Sequence, residues 1–437
     1  MSEPAADSHG PPIEAVGLRT HPLTAVVQGA LWSVGGVVAL FGSSISGGGW
    51  GDLSTLLSLG IAIVGGLVIG LGFGFLTWYF TRYIIDGTEL RITSGVLTKA
   101  SRRIPYERIQ SVDIAEPLVA RLFGLAELRI EMAGGSESRT SLRFLQLSDV
   151  RELRRVLLAR AHGHEVDEAP EDDHRSLITR VPPRRVIIGT LLSLDFAFAV
   201  VGLVVFVVVA IVADQFIVAV GGIVPFGSML FQIVSRRVLE QWDFRLSRGE
   251  RGLRIERGLL SRTSQTIPYD RVQGIAIKEP FVWRRLGWQR LEVDVAGYAA
   301  HGDDDGASSV STLLPITDPP LAAAIIAELI PGTLIEPEVR SSAPSRAWIF
   351  APIGWRYRWA GADSAAFIAS QGWIERTRSL VPHHKTQSVE LRQGPIQRWR
   401  RVATVEVHSP PGPVDADATH LDASVARTMW EQQLNRI

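Results

Sequence analysis

The chain has 437 residues, enough for two to four domains, and its 45 Lys+Arg balance its 45 Asp+Glu. That neutrality leaves no net field to steer it onto nucleic acid, and the absence of cysteine excludes a disulfide framework, a thiol nucleophile and Cys-ligated zinc. Hydrophobic residues make up 46%, too few for a many-span transporter, so membrane segments and water-facing domains must share the chain.

In chain order, residues 1–21 are polar and proline-rich. No basic region runs there into a short apolar core, so they read as a disordered cytoplasmic tail rather than a signal peptide. Apolar runs follow at 23–44, 55–80, 186–212 and 216–234. Crossing a hydrocarbon core of about 30 Å takes roughly 20 residues, so the runs predict four transmembrane helices in two hairpins, 22–80 and 184–236. The tips at 42–53 and 213–215 hold neither Lys nor Arg. Arg19, Arg82, Arg180, Arg184, Arg185, Arg236 and Arg237 flank the opposite ends. Basic residues near span ends stay cytoplasmic, which places the tips outside and both termini and every water-facing module inside. Trp78, Tyr79 and Phe80 stand where an interfacial aromatic belt belongs, and Gly66 with Gly70 forms a GxxxG packing motif. Asp195 lies inside the third run. An intramembrane carboxylate is a candidate functional group by default, here either part of a transport path or a hydrogen-bonded structural residue, with no basic partner in the other runs.

After each hairpin comes the same segment. Ile104-Pro105-Tyr106-Glu107-Arg108-Ile109-Gln110 returns as Ile267-Pro268-Tyr269-Asp270-Arg271-Val272-Gln273, and the register holds without a gap from Leu90/Leu253 through Gly95/Gly258, Pro117/Pro280, Arg121/Arg284 and Gly124/Gly287 to Gly134/Gly297. Around it, Leu90/Ile92, Val112/Ile114 and Leu128/Ile130/Met132 alternate at strand period, as do their counterparts in the second copy. A helix closes each copy: one begins near Asp149 with Leu153, Val156 and Leu157 on a stripe, and the other runs from Asp318-Pro319-Pro320 to Leu329. A degraded third copy covers 355–437. There Gly372 meets Gly95, Pro382 meets Pro105, Gln387-Ser388-Val389 meets Gln110-Ser111-Val112 and Arg398 meets Arg121, with a closing helix over 422–434.

A bent antiparallel sheet closed by a C-terminal helix is the pleckstrin-homology-like plan. The pattern G-[VL]-L-x(6)-I-P-Y-[DE]-R-[IV]-Q, then E-P, then R-x-x-G, resembles the bacterial pleckstrin-homology-like membrane proteins of the YdbT type, which carry several such modules. The resemblance covers nearly all of 22–437 and departs in the third copy, where His383-His384-Lys385 replaces Tyr106-Glu107-Arg108. It implies an α+β membrane protein of the bacterial plasma membrane with three PH-like modules at 81–163, 237–332 and 355–437. Linkers lie at 164–183 and 333–354, the second apolar enough to rest on the membrane surface. It also implies a smaller single-module PH-like membrane protein as partner.

No nucleophile elbow, Walker loop or zinc-protease motif is present in the sequence. His383, His384 and His408 are poor metal ligands, because adjacent residues of a strand face opposite ways, and Asp303-Asp304-Asp305 lacks the spaced ligands of a calcium loop. No catalytic residue, metal or cofactor is expected. The expected role is a non-enzymatic scaffold or sensor in cell-envelope stress or maintenance. Arg102, Arg103, Tyr106, Arg108, Arg262, Tyr269, Arg271, Arg376 and Arg378 would meet lipid headgroups or partner proteins. The alternatives are a structural subunit of a hetero-oligomeric membrane assembly, its modules adding edge to edge, and a transporter component using Asp195.

Overall fold

A computed structural model describes residues 18–19, scattered helical positions between 60 and 80, 82–94 apart from 87 and 88, 100–132, 139–161, and 176–436 apart from 215, 251, 297–311 and 411–413. The chain divides into two compact units, 1–171 and 172–437.

The first unit holds one copy of the repeat. β1 (Leu18–Arg19), β2 (Arg82–Ile85), β3 (Glu89–Ser94) and β4 (Ala100–Pro105) form an antiparallel sheet in that order. Proline at 105 ends β4, and the 3-10 turn Tyr106–Arg108 redirects the chain into β5 (Ile109–Pro117). A short helix α1 (Leu118–Leu122) leads to β6 (Leu125–Met132) and β7 (Arg139–Gln146), and α2 (Leu147–Ala161) closes the copy. Alternate residues of both sheets point inward, as the strand period demands. Leu90, Ile104, Val112, Ile114, Leu128, Ile130, Leu142 and Leu145 meet Val150, Leu153 and Leu157 on the inner stripe of α2. Burying each such side chain contributes about 1.5–3 kcal/mol.

The second unit opens with β8 (Ser176–Val181), which lies in the stretch read as a linker and pairs with β9. Three helices follow: α3 (Pro183–Leu191), α4 (Leu194–Val212) and α5 (Phe216–Val234). The second copy is β9 (Phe244–Arg248), β10 (Gly252–Arg257), β11 (Ser261–Pro268), β12 (Val272–Pro280), α6 (Phe281–Leu286), β13 (Gln289–Val295), β14 (Thr312–Thr317) and α7 (Pro319–Leu329). The third is β15 (Arg340–Ser342), β16 (Trp359–Ala362), β17 (Ala366–Gln371), β18 (Glu375–Pro382), β19 (Ser388–Arg392), α8 (Pro395–Trp399), β20 (Val402–His408), β21 (Ala416–Asp422) and α9 (Ala423–Leu434). β15, like β8, comes from a stretch read as linker. Backbone pairing therefore extends each first sheet by one strand that the hydrophobic pattern does not mark.

The two copies of this unit share a sheet. Its order is β14-β13-β12-β18-β17-β16-β15, so the second half of copy two and the first half of copy three are joined by β12 and β18. Ile275 faces Leu380, Ala276 faces Ser379 and Ile277 faces Arg378. Arg378 is buried at the joint. Its guanidinium pairs with Glu279 and lies 3.4 Å from Glu336, and Arg376 approaches Glu279 at 3.8 Å.

Among the described residues α4 is the one helix long and apolar enough to cross a bilayer. Its 19 residues span about 28 Å and only 11% of it is buried in the protein. α5, of the same length, folds back against it. A Cβ at Gly202 would lie 3.0 Å from the Phe226 ring, and the Phe206 and Phe226 rings are 5.6 Å apart, so glycine sets the closeness of this hairpin. The third run is not one span, however. It breaks at Leu192-Ser193, where the Ser193 hydroxyl donates to Thr190 O at 2.6 Å and the Thr190 hydroxyl donates to Val186 O at 2.8 Å. The first two runs, with Gly66, Gly70 and Trp78, lie largely outside the described residues; Tyr79 and Phe80 are helical, exposed and packed edge to face.

Glycines mark the repeat's turns. Gly258 (φ +112°) and Gly372 (φ +90°) hold the counterpart of the Ser94-Gly95 turn, and a Cβ at either would lie 2.0 Å or less from a carbonyl oxygen. Gly124 and Gly287 end α1 and α6 in the left-handed region at +69° and +66°, and the third copy places Arg401 there at +53°. Arg401→Gly should stabilise the third copy by about 0.5–1 kcal/mol, since only glycine enters that region without strain, whereas Gly372→Ala should cost about 1–3 kcal/mol. Thermal unfolding of the two variants checks both signs.

Candidate functional site

The tyrosines of the repeated motif hold the closing helices. In the first copy the Tyr106 hydroxyl donates to Asp86 O at 2.6 Å, and Arg160 of α2 donates to Asp86 O at 2.6 Å and to the Tyr106 oxygen at 3.0 Å. The turn between β2 and β3, the 3-10 turn and α2 are thus tied at one point, with the Arg160 guanidinium 5.3 Å from the Tyr106 ring centre. Burial pushes the Tyr106 hydroxyl pKa up. In the second copy the Tyr269 hydroxyl donates to Glu328 of α7 at 2.7 Å, and Arg248 grips the same carboxylate through two nitrogens at 2.7 and 2.5 Å. The hydroxyls of Tyr106 and Tyr269 are therefore engaged within the fold.

The third copy, which departs from the motif, keeps the contact. His383 stands 277 residues after Tyr106, and Asp363 stands 277 after Asp86. His383 Nε2 lies 3.1 Å from Asp363 O, Gln433 of α9 is 3.0 Å from His383 Nδ1, and Arg436 donates to Asp363 O at 3.0 Å. The imidazole is buried and structural, which removes it from any metal site. Glu390, Glu406 and His408 bring their ligand atoms within 4.8 Å of one another on β19 and β20, but Glu390 and His408 are exposed and Arg392 lies 3.4 Å from Glu406. This is a solvated charge cluster.

The candidate arginines divide. Arg376 and Arg378 are spent on the joint between copies. Arg262 lies 3.3 Å from Glu256 and Arg103 lies 3.9 Å from Glu89, both substantially exposed. Arg102 is half-buried on β4, and Arg108 is exposed at the end of the 3-10 turn. Arg271 is half-buried, with its Nη1 out of contact with water. Asp195, expected inside a span without a basic partner, sits in the first turn of α4, where a carboxylate suits the helix N-terminus, and pairs with Arg237. The Asp303-Asp304-Asp305 tip lies outside the described residues.

Sequence reasoning missed the short helix between the second sheet's first two strands. In every copy it presents large apolar side chains to the outside: Leu118, Leu122 and Phe123; Phe281 and Leu286; Ile396 and Trp399. Leu122 is 75% exposed and Trp399 73%, too much for side chains with a folding role. Arginines accompany them. Arg284 and Arg285 lie 5.5 and 5.0 Å from the Phe281 ring centre, and Arg400 lies 5.4 Å from that of Trp399. In the second copy the Trp283 indole donates to Gly189 O at 3.2 Å, which fixes α6 beside α3, five residues before α4 begins. Phe281 also touches Trp373 (ring centres 6.3 Å apart), beside an open apolar recess of about 470 Å³ lined by Pro352, Ile353, Trp373 and Ile374. The signal was in the motif: E-P supplies the helix start and R-x-x-G its left-handed end, and the residues enclosed are apolar without a stripe.

Burial holds His383 below its ordinary pKa, and burial together with Arg358 lowers His420 to about 4. Both histidines are neutral in the folded third copy and take up protons near 6.5 when it unfolds. Their stabilisation is complete above pH 6.5 and is lost as pH falls toward 4. The unfolding temperature of the third copy should therefore drop over that interval. His383→Tyr, which restores the residue of the other copies, should reduce the dependence and leave the part due to His420, as calorimetry across the pH range would show.

A family model described as the bacterial PH domain matches the chain three times, over residues 33–161, 191–333 and 309–437. Over 261 residues the chain is 23% identical to the UPF0699 transmembrane protein YdbT of Bacillus subtilis (strain 168), a match covering 53% of this chain and 53% of that protein. The chain thus spans about half the length of this curated relative. With its copies each matched, and with sheet strands and a closing helix recurring in each, the chain belongs to the bacterial PH domain family.

Proposed function

We propose that this is a non-enzymatic integral membrane protein whose four transmembrane helices, in two hairpins, hold three PH-like modules at the cytoplasmic face of a bacterial plasma membrane. The modules act there as a scaffold or sensor for anionic lipid headgroups or partner proteins, in cell-envelope stress or maintenance. The observation that carries this reading is the exposed apolar helix flanked by arginine in each module. Such a helix suits the boundary between headgroups and acyl chains. A basic side chain near an anionic surface contributes about 1 kcal/mol, and a large apolar side chain contributes more on burial. The membrane helices supply the local concentration, so a few such contacts suffice. The relative's description as a transmembrane protein supports the membrane setting. A second reading, a structural subunit of a hetero-oligomeric assembly with a smaller single-module partner, is favoured by the β12–β18 pairing, because modules that join edge to edge within a chain can do so between chains.

The cysteine-free sequence makes the lipid contact directly measurable. In reconstituted full-length protein, fluorescent labels at Phe123→Cys, Leu286→Cys and Trp399→Cys should be quenched by spin-labelled lipids and shielded from iodide, while a label at Arg262→Cys should show the reverse. Equal iodide access at all four positions would remove the lipid reading. In intact cells, external protease should spare all three modules; cleavage within any of them would reverse the orientation.

A further inference from the structure

We propose that β19 of one chain pairs with β4 of a second copy, in the register that joins β12 to β18, so that the protein assembles head to tail. The proposal goes beyond lipid contact and does not depend on it.

Within the second unit the joint has two halves. One is the strand after the 3-10 turn, β12, which is buried along most of its length; the other is the strand before that turn, β18, buried from Arg378 to Pro382. The third copy has its own counterpart of β12. Val389 follows Ile275 by 114 residues, and Val389 faces Val407 as Ile275 faces Val293, so β19 holds the same place. Yet β19 is the last strand of its sheet, and Ser388, Glu390 and Arg392 are exposed. The first copy has its own counterpart of β18. Arg102 precedes Ser379 by 277 residues, and Arg102 faces Ile92 as Ser379 faces Ala369, so β4 holds that place. β4 also ends its sheet, with Ser101, Arg103 and Pro105 exposed where Arg378, Leu380 and Pro382 are buried. One chain thus carries at its two ends the complementary halves of a joint that it already forms in its interior.

The side chains fit that register. Carrying Ile275–Leu380, Ala276–Ser379 and Ile277–Arg378 over gives Val389 opposite Arg103, Glu390 opposite Arg102 and Leu391 opposite Ser101. The central pair becomes one of opposite charge, and the Glu390 side chain is 58% exposed. In the register centred on these residues, two β19 edges would set Glu390 near Glu390 and two β4 edges would set Arg102 near Arg102, so in that register charge favours the heterologous pairing. The Val389 carbonyl accepts from the Trp430 indole at 3.0 Å, but Val112 accepts from Arg154 at 3.0 Å in the same place, so this is a contact of the module with its own helix and not a cover on the edge. Five paired residues make a weak contact in solution, and confinement to one membrane raises its occupancy.

Two full-length populations, one Glu390→Cys and one Arg102→Cys with distinguishable tags, are reconstituted together in liposomes and oxidised. A disulfide-linked dimer bearing both tags is expected, absent from either population alone and several-fold weaker when Ser388→Cys replaces Glu390→Cys. With the reporter pair moved to Arg392→Cys and Ala100→Cys, Glu390→Arg or Arg102→Glu should each lower the yield about fivefold, and combining the two reversals should restore it. No mixed dimer at any protein density, or a doubly substituted chain that links only to itself, would overturn the proposal. Either failure leaves the lipid-quenching result of the labelled short helices untouched.

Discussion

A strand at the end of a sheet leaves alternate backbone N–H and C=O groups without partners, and this constraint organises the chain. Each copy of the repeat consists of two half-sheets turned away from one another by a proline and a 3-10 turn, so each copy makes two edges at the turn. In the second unit the edge of β12 is satisfied by β18 of the next copy rather than by its own module. The ion pairs follow from that choice. Arg378 becomes buried, and a buried guanidinium is tolerated only with carboxylates at hand, here Glu279 and Glu336. The segments before each first sheet serve the same constraint at the far edge. β8 and β15 are short, yet they turn stretches of chain between modules into outer strands.

A second constraint is the attachment of the closing helix, and the copies meet it with different chemistry. A tyrosine hydroxyl, a backbone carbonyl and an arginine do the work in the first copy; a tyrosine, a glutamate and an arginine in the second; an imidazole, a carbonyl and an arginine in the third. What the copies share is the place where the sheet turn, the 3-10 turn and the helix end meet. A polar group buried there must be paired, and more than one set of side chains can do it. The substitution of His383 for tyrosine thus alters the proton chemistry of the third copy while leaving its geometry in place.

Much of the fold was legible because it depends on period and spacing. The alternation in Leu90/Ile92 and Leu128/Ile130/Met132, the stripe of α2 and the matched glycines at 258 and 372 all express local backbone rules, and the structure obeys them. The break at Leu192-Ser193 was hidden, because an apolar run looks the same whether one helix or two passes through it; the serine and threonine hydroxyls that bond back to the chain decide the matter. The candidate site was less legible for a related reason. Sequence shows that Arg378 is basic and lies just before a repeated motif, but not that a strand from another copy lies across from it. Tyr269 likewise reads as an exposed rim residue until Glu328, 59 residues later, comes within hydrogen-bond reach.

One contact sets the height of α6 along the helices α3 and α4. Gly189 lies five residues before Leu194, where α4 starts, and its carbonyl receives the Trp283 indole. At about 1.5 Å per helical residue, that separation keeps α6 within roughly a turn or two of the N-terminal end of α4. A Cβ on Gly189 would collide with both Trp283 and Ile316, so the approach is as close as side chains permit. Phe281 and Leu286 therefore emerge near the N-terminal end of α4; in the proposed membrane placement that is the level of the headgroups, where a large exposed apolar surface beside arginine is not a liability. Were the module held further into the water, the same residues would invite aggregation, and the adjacent arginines alone would not prevent it. The indole-to-glycine contact thus ties the fold of the module to the height of its exposed helix along α4.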